Sequence, residues 1–366
     1  MTARSKFVAV LIAVAVVTAM APGATAGAAT SAGTAQTCDF PVTYTDASGT
    51  DVTIEEKPDT IVTLAPSAAQ TVKEVGAWDR VVGVSQHASY LDGADQKTNI
   101  SGEGMTFVNV EVVVGLQPDL VLAPDVLPAD TVEQLRDAGL TVYWFEEPKT
   151  VDDIISQTQL TGELVGACDG AAETVESMTA ELDVVERAVE DEDQPRVLYA
   201  FFGFTAGEGT IIDQMIEEAG GTNVAAEAGI EGFQAISDEV VADQDPEWLI
   251  LNSDQPTPPA SEAYQGTTAV EQGQVLVIDT HKLNQPAPRS VDAVAQMAET
   301  FHPEAYEQAE QWTPTETPTT TPAQTDTPVV NETPTSTPED EGAPGFGVVV
   351  ALVAVLAGAL LATRRN

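Results

Sequence analysis

The chain has 366 residues, with 58 acidic against 14 basic side chains and a formal net charge of −44. That balance excludes nucleic acid and anionic lipid headgroups as partners, because both need a basic patch. With 43% hydrophobic residues a real core is available, and the 2 cysteines cannot staple a chain of this length in its place. The acid is spread from Asp39 to Glu341. Such a surface suits molar salt, where the Debye length is about 3 Å and self-repulsion is screened, so the composition reads as that of a halophile.

Residues 1–30 read as a signal peptide. Arg4 and Lys6 precede an apolar run from Phe7 to Met20, and Ala24-Thr25-Ala26 offers small residues for cleavage. The run is shorter than the roughly 20 residues a bilayer span needs. Cys38 lies too far beyond it to be a lipoprotein cysteine. An exported domain permits a disulfide. Cys38 and Cys168 are the only candidates, and the spacing leaves open a bond or two free thiols.

The folded region begins with short apolar runs alternating with helical patterns. Thr60 to Leu64 predicts a strand, and Ser67 to Val75 a helix with Ser67 as N-cap. Val81 to Val84 is a second strand. Val110 to Val114 is helical and leads into a strand at Leu120 to Ala123. Thr131 to Ala138 is a helix closed by Gly139, and Thr141 to Phe145 a strand.

Helical spacing then takes over from Val151 to Val165. After Cys168 the apolar stripe Val175, Met178, Leu182, Val185 and Val189 steps by 3, 4, 3 and 4. That predicts one helix of about 22 residues, roughly 33 Å long. A second α/β unit follows, with strands at Val197 to Ala200, Trp248 to Leu251 and Val275 to Ile278. Its helices run from Ile211 to Ala219 and, last, from Val291 to Thr300. The expected fold class is α/β: two lobes with parallel-rich sheets joined by one long helix, and a ligand cleft between them. The divisions are 39–150, 151–195 and 196–310.

Residues 311–343 form an acidic Thr/Pro-rich stalk, with 11 Thr and 6 Pro in the 26 positions 313–338. Asn331 and Asn99 each open a glycosylation sequon. Pro344-Gly345-Phe346, an apolar run from Gly347 to Ala362 and Arg364-Arg365 complete the chain. Residues 344–366 resemble the carboxy-terminal sorting signal of archaeal surface proteins, which is cut and replaced by a lipid. A retained transmembrane helix is the alternative, and both place the folded region outside the cell.

No nucleotide, nucleophile-elbow or zinc-protease motif is present, which argues against an enzyme. Aromatic residues gather in loops after strands instead: Tyr90, Phe107, the run Phe201-Phe202-Gly203-Phe204, and Phe233. Ligands of α/β lobes sit at those strand ends. Phe201 reads as core and Phe204 as exposed. His87 and His281 each follow a strand, one per lobe, either as solvated loop residues or facing each other over a metal. Arg289 is one of only 10 basic residues between 39 and 310, placed for a ligand group or for a nearby acid.

Residues 63–71 (TLAPSAAQT), 81–85 (VVGVS), 115–123 (GLQPDLVLA), 220–225 (GGTNVA), 237–241 (SDEVV) and 287–289 (APR) resemble the helical-backbone substrate-binding proteins of ABC importers. The resemblance covers about 39–303 and is greatest to the members that bind vitamin B12. It implies extracellular capture of cobalamin as cargo rather than cofactor, by a monomer tethered to the outer face of the membrane. Delivery is to a permease driven by a cytoplasmic ATPase. Haem or a ferric siderophore is the alternative cargo; a secreted enzyme and a structural surface domain are the remaining classes. It further implies a cleft lined by Tyr90, Phe107, Phe202, Phe204, His281 and Arg289, with no resident metal. Permease docking falls to Glu239 on the second lobe and to the position of Gln70 on the first, where Glu74 is the nearest acid.

Overall fold

The structure, a computed structural model, describes residues 38–102 and 108–312. Residues 1–37, 103–107 and 313–366, and with them the signal peptide, Phe107, Asn331 and the sorting signal, lie outside the described residues.

The first lobe opens with an antiparallel hairpin, β1 (Val42–Thr45) and β2 (Asp51–Ile54). Its turn is centred on Asp46, which is buried, accepts from Ser48 and Thr50 and pairs with Arg136. The main sheet holds β3 (Ile61–Thr63), β4 (Val81–Val84), β5 (Thr98–Asn99), β6 (Leu120–Ala123) and β7 (Val142–Trp144). All pairings are parallel and the order is β5-β4-β3-β6-β7. Both faces are covered. Ile61, Leu120 and Leu122 enter one core cluster while Val62, Val121 and Ala123 enter another, the alternation of a strand buried on both sides. The helices are α1 (Pro66–Glu74), α2 (Val110–Leu116) and α3 (Ala129–Asp137). Ser67 does not cap α1. Pro66 occupies the first helical position, where its missing N–H costs nothing, and Ser67 lies inside the helix.

The connection is a hairpin of two helices, α4 (Val151–Val165) and α5 (Cys168–Val189). Thr150 and Asp153 close a capping box at the start of α4, and Gly166 at φ 65° ends it. The sequence stripe gives α5 its 22 residues. Both helices cross from lobe to lobe. Val151 and Ile154 enter the second-lobe core and Leu164 and Val165 the first; Ala171 packs in the first lobe, and Met178, Val185 and Ala188 in the second. Two glycines permit this packing. A Cβ on Gly162 would stand 2.2 Å from Ala171 Cβ, and one on Gly170 2.2 Å from the Val75 carbonyl oxygen. Cys38 and Cys168 are disulfide-bonded across 130 residues, pinning the N-terminal end of the described chain to the start of α5. Loop-closure entropy makes such a bond worth about 4–5 kcal/mol.

The second lobe carries β8 (Arg196–Ala200), β9 (Phe204–Ala206), β10 (Thr222–Asn223), β11 (Phe233–Ala235), β12 (Trp248–Asn252) and β13 (Val275–Ile278). Its parallel sheet runs β10-β8-β12-β13, and β9 and β11 form a separate antiparallel ribbon. Helices α6 (Ile211–Glu218), α7 (Val224–Glu227), α8 (Asp238–Gln244), α9 (Glu262–Gln265), α10 (Thr268–Gln272), α11 (Thr280–Leu283) and α12 (Ser290–Phe301) surround it. The helix expected to be last is followed by α13 (Pro303–Glu310). Tyr306 on α13 donates to Glu181 on α5 at 2.9 Å, so this extra helix braces the connection.

Candidate ligand cleft

A cavity of about 550 Å³ opens between the lobes, within the range of small-molecule sites. Its first-lobe wall comes from the carboxyl ends of four parallel strands. Leu64 to Ser67 follow β3, Ser85 and His87 follow β4, Pro124 to Leu127 follow β6, and Phe145, Glu147 and Pro148 follow β7. The floor is α4, which presents Ile154, Gln157 and Thr161 at helical steps of one face. The second-lobe wall is Ile211 and Ile212 at the start of α6, Phe233 on β11, and Leu283 to Ala287 between α11 and α12.

The charge of this lining is one-sided. Among the described residues it includes the carboxylates Asp125 and Glu147 and the imidazole of His87, but no Lys or Arg. Burial, reinforced by the nearby Glu147 charge, raises the Asp125 carboxyl above its ordinary range, against opposition from backbone amides and Lys149. Protonation of Asp125 therefore relieves a cost of the folded state. Ser85 and Asn284 also line the cavity, but Ser85 Oγ and Asn284 Oδ1 are themselves buried away from solvent, without a hydrogen-bond partner among the described residues.

The second lobe supplies exposed rings. Phe202, Phe204 and Phe233 are 61%, 50% and 58% exposed. Phe201 and Phe204 exchange backbone hydrogen bonds across a two-residue turn in which Phe202 and Gly203 have φ 48° and 82°. This is a primed hairpin turn, whose first central position favours Asn or Gly. A phenylalanine there costs roughly 1 kcal/mol of backbone strain and turns its ring outward. Register pairs Phe204 with Ala235 and Phe233 with Ala206, placing both rings on one face of the ribbon. Phe201 instead packs against the second-lobe core, stacked on Tyr199 at 6.4 Å.

Several residues expected in the cleft stand elsewhere. Phe202 and Phe204 are exposed but do not line the cavity; among the exposed rings of the described residues, Phe233 is the one that does. Tyr90 and His281 stack on each other at 3.8 Å across the lobe boundary, and Tyr90 donates to Gln285 at 2.6 Å. Neither is a lining residue, whereas Gln285, the acceptor of the Tyr90 bond, is. Burial raises the Tyr90 hydroxyl to about 12. His281 also lies 3.0 Å from Asp279, and among the described residues no group of three or more His, Cys, Asp or Glu could hold a metal ion. Arg289 is not a lining residue. Its guanidinium pairs with Glu74 at 2.9 Å, a second bridge between lobes.

The docking positions also divide. Gln70 is fully buried in α1, with both amide atoms unpartnered, and so offers nothing to a permease. Glu74 is engaged by Arg289. Glu239 is exposed in the first turn of α8, and Asn99 is exposed on β5. Sequence reasoning missed Phe145, the α4 floor and Asn284; for the floor, the only signal was the stripe that marked α4 as a helix.

Residues 61–281 match the model of the family described as periplasmic binding protein, more than half of the chain. The chain belongs to the periplasmic binding protein family. Residues 343–365 match the PGF-CTERM motif. The cobalamin-binding protein of Halobacterium salinarum is 43% identical over 277 residues, 72% of this chain and 75% of that protein. Among solved members of this fold, the apo periplasmic heme-binding protein of Roseiflexus superposes with a TM-score of 0.61 at 24% identity, covering 68% of this chain and 99% of its own. The periplasmic vitamin B12-binding protein of Vibrio cholerae gives 0.60 at 22%, covering 70% and 99%. The shared two-lobed fold therefore accommodates both ligands, and the cargo must be argued from the cleft.

Proposed function

We propose that this protein is the substrate-binding component of an ABC importer and that its cargo is cobalamin. The lining charge carries the choice. Haem brings two propionates and many ferric siderophores are anionic. Either would meet Asp125 and Glu147 with no Lys or Arg among the described lining residues to answer them. Like charges brought together in a desolvated site cost several kcal/mol. The rim of a corrin carries uncharged carboxamides, and its broad apolar faces suit Phe233 in the lining and the exposed rings of Phe204 and Phe202 on the same lobe. The 43% identical cobalamin-binding relative supports the same reading.

Export by residues 1–30 and tethering through residues 343–365 would hold the cleft at the outer face of the membrane, in a high-salt medium, as a monomer. Asn99 is placed to carry a glycan. Delivery would use the exposed Glu239 on the second lobe. With Gln70 buried and Glu74 paired, the first-lobe docking carboxylate is some other exposed acid of that lobe.

The test is calorimetric titration of the protein in molar KCl with cyanocobalamin, haemin and a ferric siderophore in parallel. The expected result is one-to-one binding of cyanocobalamin alone. Binding of either iron chelate in preference to it overturns the cargo.

A further inference from the structure

We infer that Gln285 is a cargo-contacting residue of the second-lobe wall and that Tyr90, reaching it from the first lobe, is the residue that positions its amide. The inference rests on the cobalamin reading above and deepens it.

Gln285 lines the cavity and is partly exposed. Its backbone is held locally. It precedes Pro286, which restricts it to extended conformations. Its carbonyl accepts from the Ser290 hydroxyl at 3.2 Å, and Ser290 is buried at the start of α12. The side chain is held from the opposite lobe. Tyr90 packs against the first-lobe core, and its hydroxyl donates to Gln285 Oε1 at 2.6 Å. A phenol both donates and accepts, so it would hold this amide in either orientation. The Tyr90 ring is clamped in turn. It stacks on His281 at 3.8 Å, and Asp279 holds His281 through the backbone N–H at 2.8 Å and the ring Nδ1 at 3.0 Å.

A glutamine side chain left to itself samples several rotamers, and ordering it on binding costs affinity. The Tyr90 bond does that ordering before the cargo arrives. Among the described residues the Gln285 amide makes no second hydrogen bond, which leaves its other polar atom available. A primary carboxamide satisfies that atom whether it is the N–H or the carbonyl group, and a corrin rim carries such carboxamides. Neither Tyr90 nor His281 lines the cavity, so Tyr90 acts through Gln285. The second bridge between lobes, Glu74 with Arg289, makes no bond to Gln285 and supplies the contrast.

The experiment uses the full-length protein in molar KCl. Cyanocobalamin affinity and ligand-free melting curves are measured for the unsubstituted protein, Tyr90→Phe, Gln285→Ala, the double variant and Arg289→Ala. Tyr90→Phe keeps the ring on His281 and removes only the hydrogen bond. The expected result is about tenfold weaker binding in Gln285→Ala and in Tyr90→Phe, with melting temperatures within a few degrees of the parent. The double variant should bind within about twofold of Gln285→Ala, because Tyr90 then has no amide to position. Arg289→Ala should keep the parent affinity. Affinity within about twofold of the parent in Gln285→Ala or in Tyr90→Phe overturns the inference. Losses that multiply to about a hundredfold in the double variant mean that Tyr90 touches the cargo itself, and overturn its positioning role. An equal loss in Arg289→Ala assigns the effect to lobe packing in general and overturns that role too. Absence of cyanocobalamin binding to the unsubstituted protein overturns the cargo reading, and the inference with it.

Discussion

The two walls of the cleft are built differently from similar sheets. The first lobe ends four parallel strands at the cavity and contributes charge and hydroxyl there: Asp125, Glu147, His87, Ser67 and Ser85. Its lining ring, Phe145, is 6% exposed and packs edge-on against Tyr143 at 4.9 Å. The second lobe holds its rings outward on the β9–β11 ribbon, with Phe202 in a strained turn. One wall therefore sets fixed charges and hydroxyls within an apolar lining, and the other adds one exposed ring, Phe233, on a ribbon whose rings the fold alone does not require to be exposed. Exposed rings in a chain with only 5% aromatic residues are the stronger mark of binding.

That contrast breaks if the rings behave alike. Phe145→Ala should lose about 3–5 kcal/mol of stability, the cost of emptying a packed ring site, read from denaturant unfolding. Phe233→Ala should stay within about 0.5 kcal/mol of the parent while ligand binding weakens about tenfold. Equal stability losses would show that Phe233 is core. Phe202→Asn sharpens the same point, because Asn tolerates positive φ. It should gain up to about 1 kcal/mol and lose severalfold in affinity; a variant neither more stable nor weaker in binding would refute the strained-ring account. The smallest effect is expected at the interlobe bridge. Glu74 and Arg289 are half-exposed, with side-chain exposures of 32% and 37%, so their coupling in a double-mutant cycle should stay below about 1 kcal/mol. It should shrink further in molar salt and leave ligand affinity unchanged. A large affinity loss in Arg289→Ala would return that residue to the site.

Much of this was legible in the chain itself. The apolar stripe predicted α5 because a period near 3.6 survives any context, and Val275 to Ile278 became β13 with the expected bounds. The exposure of Phe204 followed from its glycine-flanked loop. The helix expected to be last is followed by another because Pro303 occupies the first position of α13, where its missing N–H costs nothing. Gln70 was placed by the resemblance alone, at the first-lobe docking position, and that alignment could not show that the residue is fully buried in α1. The resemblance that placed Tyr90 and His281 in the cleft could not show them stacked on each other. The Tyr90 to Gln285 hydrogen bond joins residues 195 apart in the chain.

The sequence by itself determined the α/β class, the two lobes, the long helix and the acidic, exported character, because these follow from composition and from periodicities of single segments. Only the tertiary structure decided which of two helices floors the cleft, that Arg289 and Glu74 answer each other, and that the cavity lining includes two carboxylates and, among the described residues, no Lys or Arg. Those outcomes depend on which strand ends and which helix faces meet. No local pattern encodes that, since the meeting is set by how two lobes pack on a shared helical hairpin.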